Sequence, residues 1–184
     1  KAWLGEKSPF GANALTVNPW MGLETLFPFI EAANESNSGI FILLKTSNTG
    51  SKDIQDLLVN NRAVFLHLAD LIQKDTSTNL GKFGYSNIGV VVGATQPKDA
   101  RLIRKILPKS LFLIPGFGAQ GANASEAVSG LILKNKIYEG GLINSSRSIL
   151  FPKDSYNLNH SLKWKEKIVS ALKKITNELK FKAI

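Results

Sequence analysis

A parallel α/β fold is predicted by three features of this 184-residue chain. It carries five short apolar runs, a stretch of helix-spaced apolar residues after each, and small or polar residues where each run stops. The runs cover residues 14–17, 40–44, 88–92, 111–114 and 141–143. Each is continuous rather than alternating, as strands of a covered parallel sheet are. Repeated βα units predict a parallel sheet with helical cover.

The elements follow in order. Ala14-Leu15-Thr16-Val17 stops at Asn18-Pro19, and Leu23, Leu26, Phe27 and Ile30 then fit a helix within 21–33, with Pro28 in its first turn. The 40–44 run stops at Thr46-Ser47-Asn48, and Val64, Leu68, Leu71 and Ile72 fall on one helical face. After the 88–92 run come Gly93-Ala94-Thr95 and a helix carrying Ala100, Ile103 and Leu107, with Pro97 suited to its start. The 111–114 run stops at Pro115-Gly116, and Ser125 is placed to N-cap a helix carrying Val128, Leu131 and Ile132. Asn144-Ser145-Ser146 closes the last run, and Ile168, Leu172, Ile175 and Leu179 stripe the final helix. Five such units make either an open doubly wound sheet or units four to eight of a closed (β/α)8 barrel, and pattern alone leaves both open.

Composition sets further bounds. Hydrophobic residues at 43% and charged residues at 20% are ordinary for a globular core. The chain is short for a complete barrel, which takes ~250 residues. It opens on Lys1 rather than Met, and Lys1-Ala2-Trp3-Leu4-Gly5-Glu6 reads as the tail of a helix. The expectation is therefore a chain truncated at its N-terminus, with residues 1–184 forming the C-terminal portion of one domain. The net charge of +9 favours anionic partners, but seven lysines fall in the last 22 residues, where a solvated helix accounts for them. Aromatic interleaving there is limited to Trp164 and Phe181, which weighs against a nucleic-acid or anionic-membrane binder. The lack of cysteine excludes disulfides, thiolate nucleophiles and cysteine metal sites, and it fits a cytoplasmic location. No apolar run approaches ~18 residues, so no transmembrane span is expected.

Ligands of parallel folds gather at the C-terminal ends of the strands, and three of those ends are rich in polar chemistry. Lys45-Thr46-Ser47-Asn48-Thr49-Gly50 places hydroxyls and an amide where a planar polar ring can be read. Asn48 or Ser51 can equally cap a helix beginning at Ile54-Gln55-Asp56-Leu57. Pro115-Gly116-Phe117-Gly118-Ala119-Gln120-Gly121 lets the backbone turn sharply and approach an anion, with Gln120 as a side-chain donor. It also matches G-x-G-x-x-G, but no acidic residue closes a strand ~20 residues later, as a dinucleotide fingerprint requires. Asn144-Ser145-Ser146-Arg147-Ser148 puts a guanidinium just after a strand, which suits a phosphate. In a (β/α)8 barrel the phosphate site follows strands seven and eight, which is where these last two loops would fall. His67 and His160 stand apart from acids and read as structural, and no metal-ligand spacing is present.

Taken in order, Ala14-Leu15-Thr16-Val17-Asn18-Pro19-Trp20-Met21-Gly22, Leu43-Leu44-Lys45-Thr46-Ser47-Asn48, Val91-Val92-Gly93-Ala94-Thr95, the 115–121 loop and Asn144-Ser145-Ser146-Arg147 resemble the orotidine 5′-phosphate decarboxylase family, specifically its second bacterial subgroup. The resemblance runs from about Trp3 to about Leu150. It implies a TIM barrel of which this chain supplies about strands four to eight. It also implies decarboxylation of orotidine 5′-monophosphate to UMP in pyrimidine biosynthesis, without metal or organic cofactor, by a homodimer when intact. By the same resemblance Ser47 would hydrogen-bond the pyrimidine, Pro115 would line the base pocket and Gln120 would bridge base and phosphate. Arg147, with the backbone at Ser146, would hold the phosphate. Two departures occur: Thr49 where the family often has Pro, and Ser146 where it often has Gly.

The family's catalytic Asp-x-Lys-x-x-Asp array occurs nowhere in the sequence and is expected upstream of Lys1; Lys52-Asp53 and Lys98-Asp99 do not substitute for it. The chain is thus expected to hold the gripping half of the site without the reacting half. The alternatives are a non-catalytic phosphate- or nucleotide-binding barrel fragment, and another sugar-phosphate barrel enzyme. The latter would leave Thr46-Ser47-Asn48 without a pyrimidine to read.

Overall fold

The computed structural model describes residues 2–5, 7–78, 80–152 and 161–180. Its centre is a five-stranded sheet of β1 (Ala14–Val17), β2 (Gly39–Lys45), β5 (Ser86–Val92), β6 (Ser110–Ile114) and β9 (Gly141–Ile143). Every neighbouring pair is parallel. The short strands β3 (Leu58–Val59) and β4 (Arg62–Ala63) form one antiparallel hairpin, and β7 (Ile132–Lys134) and β8 (Ile137–Glu139) form another. The helices are α1 (Phe27–Glu35), α2 (Val64–Thr76), α3 (Pro97–Ile106), α4 (Ala124–Ala127), α5 (Ser146–Leu150) and α6 (Ser161–Lys180).

Strand order decides between the two architectures. The five strands lie side by side in chain order, β1-β2-β5-β6-β9. A doubly wound sheet reverses direction at a switch point, and this one does not. Winding in one direction is the geometry of a barrel segment.

The core lies between sheet and helices. Ile40, Ile42, Leu44, Ile88, Val90, Val92, Phe112 and Ile114 are buried, together with Ala33, Phe65, Ala69, Ile72, Ala100, Ile103 and Leu107 of the helical layer. Helix α1 packs on β2 and β5, and α2 packs on those strands and on α3. On the opposite face Phe41, Leu43, Leu111 and Leu113 are only half-buried. The apolar runs are thus continuous in sequence while burial alternates along β2 and β6. Their second face is the inner wall of the barrel, and among the described residues β1 and β9 each keep one edge unpaired.

Several local expectations change. Residues 2–5 are not helical: Gly5 turns at φ +94°, and the segment folds back so that Trp3 stacks on Phe10 with ring centroids 4.3 Å apart. Pro28 does lie in the first turn of α1. No helix forms over 54–57, because a 3-10 turn at Thr49–Asp53 leads into the β3–β4 hairpin. Helix α2 buries Phe65, Ala69, Ile72 and Thr76, which leaves Leu71 exposed. The cap of α4 is Asn123, not Ser125: its Oδ1 accepts from the Glu126 N–H, and the Glu126 carboxylate accepts from the Asn123 N–H. That helix ends at Ala127, and Ile132 opens the β7–β8 hairpin. On α6, Ile168, Ile175 and Leu179 are half-buried but Leu172 is exposed, as are the lysines at 163, 165, 167, 173, 174 and 180. His67 is structural, with Nε2 2.9 Å from the Val59 carbonyl that it holds in the hairpin. His160 lies outside the described residues.

Candidate functional site

The site forms where β2, β6 and β9 end. The 115–121 loop leaves β6 through Gly116, Gly118 and Gly121, at φ +99°, +77° and +93°. A side chain is strained at each of these angles, so glycine permits the turn. Expectation and structure part on the loop's amides. Those of Gly118, Ala119 and Gly121 already donate to Ala122, Phe117 and Gly118 carbonyls, and so shape the loop rather than face an anion.

The loop after β9 docks directly on it. The Ser145 hydroxyl, buried, donates to the Phe117 carbonyl at 2.9 Å. A Cβ on Gly118 would stand 2.7 Å from Ser148 Oγ and 3.3 Å from Ser145 Oγ, so the two loops close only around a glycine. Ser145 was not singled out by the sequence. Its signal was a small hydroxyl residue between a strand end and a short helix.

Between these loops lies a cavity of about 150 Å³ lined by Pro115, Gly116, Gln120, Asn144, Ser146 and Arg147 among others. Four of the five expected binding residues therefore share one small space. Gln120, Ser146 and Arg147 are exposed there, free to meet a ligand from solvent. Ser146 opens α5 with its side chain at the cavity, where the resemblance would place glycine.

Ser47, the fifth, adjoins the cavity through Gly116. A Gly116 Cβ would stand 2.9 Å from Ser47 Cβ, 3.4 Å from Ser47 Oγ and 3.1 Å from Gln120 Oε1. Ser47 and Gln120 therefore converge over a residue that has no side chain. The next strand end holds Ser47 from the other side. Thr95 Oγ1 donates to its carbonyl at 3.1 Å, and Gly93 lets its backbone pass so closely that a Cβ would lie 2.7 Å from Ser47 Cα.

The sequence reading assigned nothing to Lys45, yet its side chain is fully buried. The strand pairing shifts between Leu43 and Lys45, and Lys45 points into the helical layer rather than the cavity. Its Nζ pairs with the Asp56 carboxylate, lies 3.7 Å from Asp99 Oδ2 and sits over the Phe65 ring at 5.0 Å. Burial pushes the Asp99 carboxyl above its usual range against the pull of the Lys45 charge. Among the described residues no cluster of His, Cys, Asp or Glu is disposed to hold a metal ion.

Residues 2–156 match the family described as orotidine 5′-phosphate decarboxylase / HUMPS. An orotidine 5′-phosphate decarboxylase of Rhodopirellula baltica is 40% identical over 154 residues, covering 82% of this chain and 50% of that protein. One from Clostridium botulinum is 44% identical over 149 residues, covering 80% of this chain and 50% of that protein. The chain spans about half the length of the curated relatives it matches. Among solved structures, the OMP decarboxylase of Leishmania donovani superposes with a TM-score of 0.68 at 28% identity, covering 94% of this chain and 59% of its own. The UMP synthase of the same organism gives 0.67 at 31% identity, covering 94% and 34%.

Proposed function

The chain belongs to the orotidine 5′-phosphate decarboxylase / HUMPS family, and from that we propose that it is the substrate-gripping part of an enzyme converting orotidine 5′-monophosphate to UMP and CO2. On this reading the five parallel strands are strands four to eight of a single barrel domain. The observation that carries it is the shared cavity: Gln120 and Arg147, on consecutive strand-end loops, line one small space beside Ser47.

Arg147 holds the phosphate by its guanidinium fork, with the Ser146 backbone beside it. Gln120 lies between phosphate and base. Ser47 reads the pyrimidine edge, and Pro115 walls the base pocket. Phosphate binding far from the reacting carbon orders the loops and aligns the base, so its energy is used for orientation. The reacting groups are the Asp-x-Lys-x-x-Asp carboxylates and ammonium, which stabilise the developing carbanion as the lysine protonates C6. No metal or organic cofactor enters this scheme. The partners are the small-molecule ligand and a second copy of the intact protein, with no role for nucleic acid or membrane. No described helix is long and apolar enough to cross a bilayer, and the cytoplasm is the proposed location.

The test is nucleotide binding by Arg147→Ala. Losing an exposed charge-assisted fork is expected to weaken UMP binding by about tenfold to a hundredfold, measured by equilibrium dialysis with labelled UMP. Unchanged UMP affinity in that variant removes Arg147 from the site.

A further inference from the structure

We propose that Lys45 is a positioning residue for base recognition: the ion pair of this buried lysine with Asp56 closes the 46–56 loop and sets Ser47 over Gly116. The proposal rests on the reading of Ser47 as the base contact. The loop begins one residue after Lys45 and returns to it at Asp56, so the pair ties both ends of the loop together. Its neighbours complete the closure. The Thr46 N–H donates to Gln55 Oε1 at 2.9 Å, Gln55 Nε2 donates to Thr46 Oγ1 at 3.0 Å, and Thr46 Oγ1 donates to Asn48 Oδ1 at 2.7 Å.

The same lysine reaches the next βα unit. Asp99, in the first turn of α3, lies 3.7 Å from Nζ, and the Gly93 N–H donates to the Lys45 carbonyl at 2.7 Å. Gly93 and Thr95 are the residues that hold Ser47 from that side. Lys45 thus fixes the loop from below and fixes the neighbouring strand end against which the loop rests. A methionine here would fill the space and remove the charge, leaving Asp56 and Asp99 without their shared cation. Asp56, whose side chain is 36% exposed, then loses the partner that draws it inward, so the loop is expected to open and carry it to solvent.

Lys45 itself makes no contact with the 115–121 and 144–148 loops, which lean on each other through Ser145 and Gly118; the 93–95 strand end meets the first of them through one backbone bond, from the Ala94 N–H to the Pro115 carbonyl at 2.8 Å. Loss of Lys45 should therefore separate base recognition from phosphate recognition. The experiment compares equilibrium dialysis of UMP and of ribose 5-phosphate on the full chain and its Lys45→Met, Asp56→Asn and Ser47→Ala variants. The unaltered chain is expected to prefer UMP by about tenfold, as one or two hydrogen bonds to the base provide.

Lys45→Met should bring that preference down to the level of Ser47→Ala and leave ribose 5-phosphate affinity within about threefold, and combining the two changes should add nothing. Retention of the UMP preference in Lys45→Met, or equal loss of both affinities, overturns the proposal while leaving the site reading intact. If Lys45→Met does not fold, the isosteric Asp56→Asn carries the same comparison, and an undiminished preference there overturns it equally. If the unaltered chain shows no preference, or Ser47→Ala leaves it intact, the base-binding reading itself falls and takes this proposal with it.

Discussion

Replacing Arg104 with alanine is expected to lower folding stability by about 3–5 kcal/mol, a large share of the ~5–15 kcal/mol that holds an ordinary domain folded. Arg104 sits on α3 but serves three other segments. Its Nε donates to the Gly130 carbonyl at 2.8 Å, Nη1 to Ser110 at 2.6 Å and Leu107 at 3.3 Å, and Nη2 to Gly140 at 2.7 Å. Its guanidinium lies 3.6 Å from the centroid of the buried Phe112 ring. One side chain thus joins α3, the start of β6, the turn after α4 and the entry to β9. Burial lowers its pKa to about 10, which still leaves it a cation at neutral pH.

Truncation strands several carbonyls at once, and a lysine cannot reproduce the planar fork. Arg104→Lys should therefore recover little. Urea unfolding followed by circular dichroism measures both variants, and a loss below about 1 kcal/mol for alanine would show the clasp to be incidental. The effect should be one of folding, since Arg104 lies at the opposite ends of the strands from the ligand loops.

The second large effect is an absence. The 184-residue chain is expected to release no CO2 from carboxyl-labelled orotidine 5′-monophosphate above a blank. On the proposed reading its cavity grips the substrate, but a grip that is equal in ground state and transition state does not accelerate the chemical step. Acceleration in this scheme comes from carboxylates and an ammonium preorganised around C6, and no Asp-x-Lys-x-x-Asp occurs in the sequence. Lys45 does not replace the missing lysine, since it is buried among α2, α3 and Asp56 and faces away from the cavity. Measured turnover would show that the chain reaches the carbanion by other residues.

Much of this was legible in the residues because the signals were local. Each strand of the central sheet is legible to within two residues, since a short apolar run bounded by Gly, Pro or Asn has few other uses, whereas the four short hairpin strands are not. That the 115–121 and 144–148 loops share a cavity was foreseeable because glycines and an arginine at neighbouring strand ends have a direct chemical meaning. The misses came from tertiary context. Leu71 satisfies the helical period as well as Ile72 does, but only contact with β2 and β5 decides which face is buried. Ser125 and Asn123 are both good caps, and the reciprocal bond to Glu126 favours Asn123. Lys45 ends an apolar strand as any flanking lysine might. Its burial depends on a register shift and on acids 11 residues away at Asp56 and farther on at Asp99. The Asn60-Asn61 turn at φ 50° and 59°, which builds the β3–β4 hairpin, is a readable signal against the alternative of a helix over 54–57.

On the proposed reading, one anionic nucleotide draws together the ends of β6 and β9. A titration of isotope-labelled chain with UMP, followed residue by residue by NMR, addresses it most directly. Gly116, Gln120, Ser146 and Arg147 should shift along a single saturation curve, with Ser47 joining them for UMP but not for ribose 5-phosphate. Shifts confined to the lysines of α6, with Gln120 and Arg147 unmoved, would contradict it.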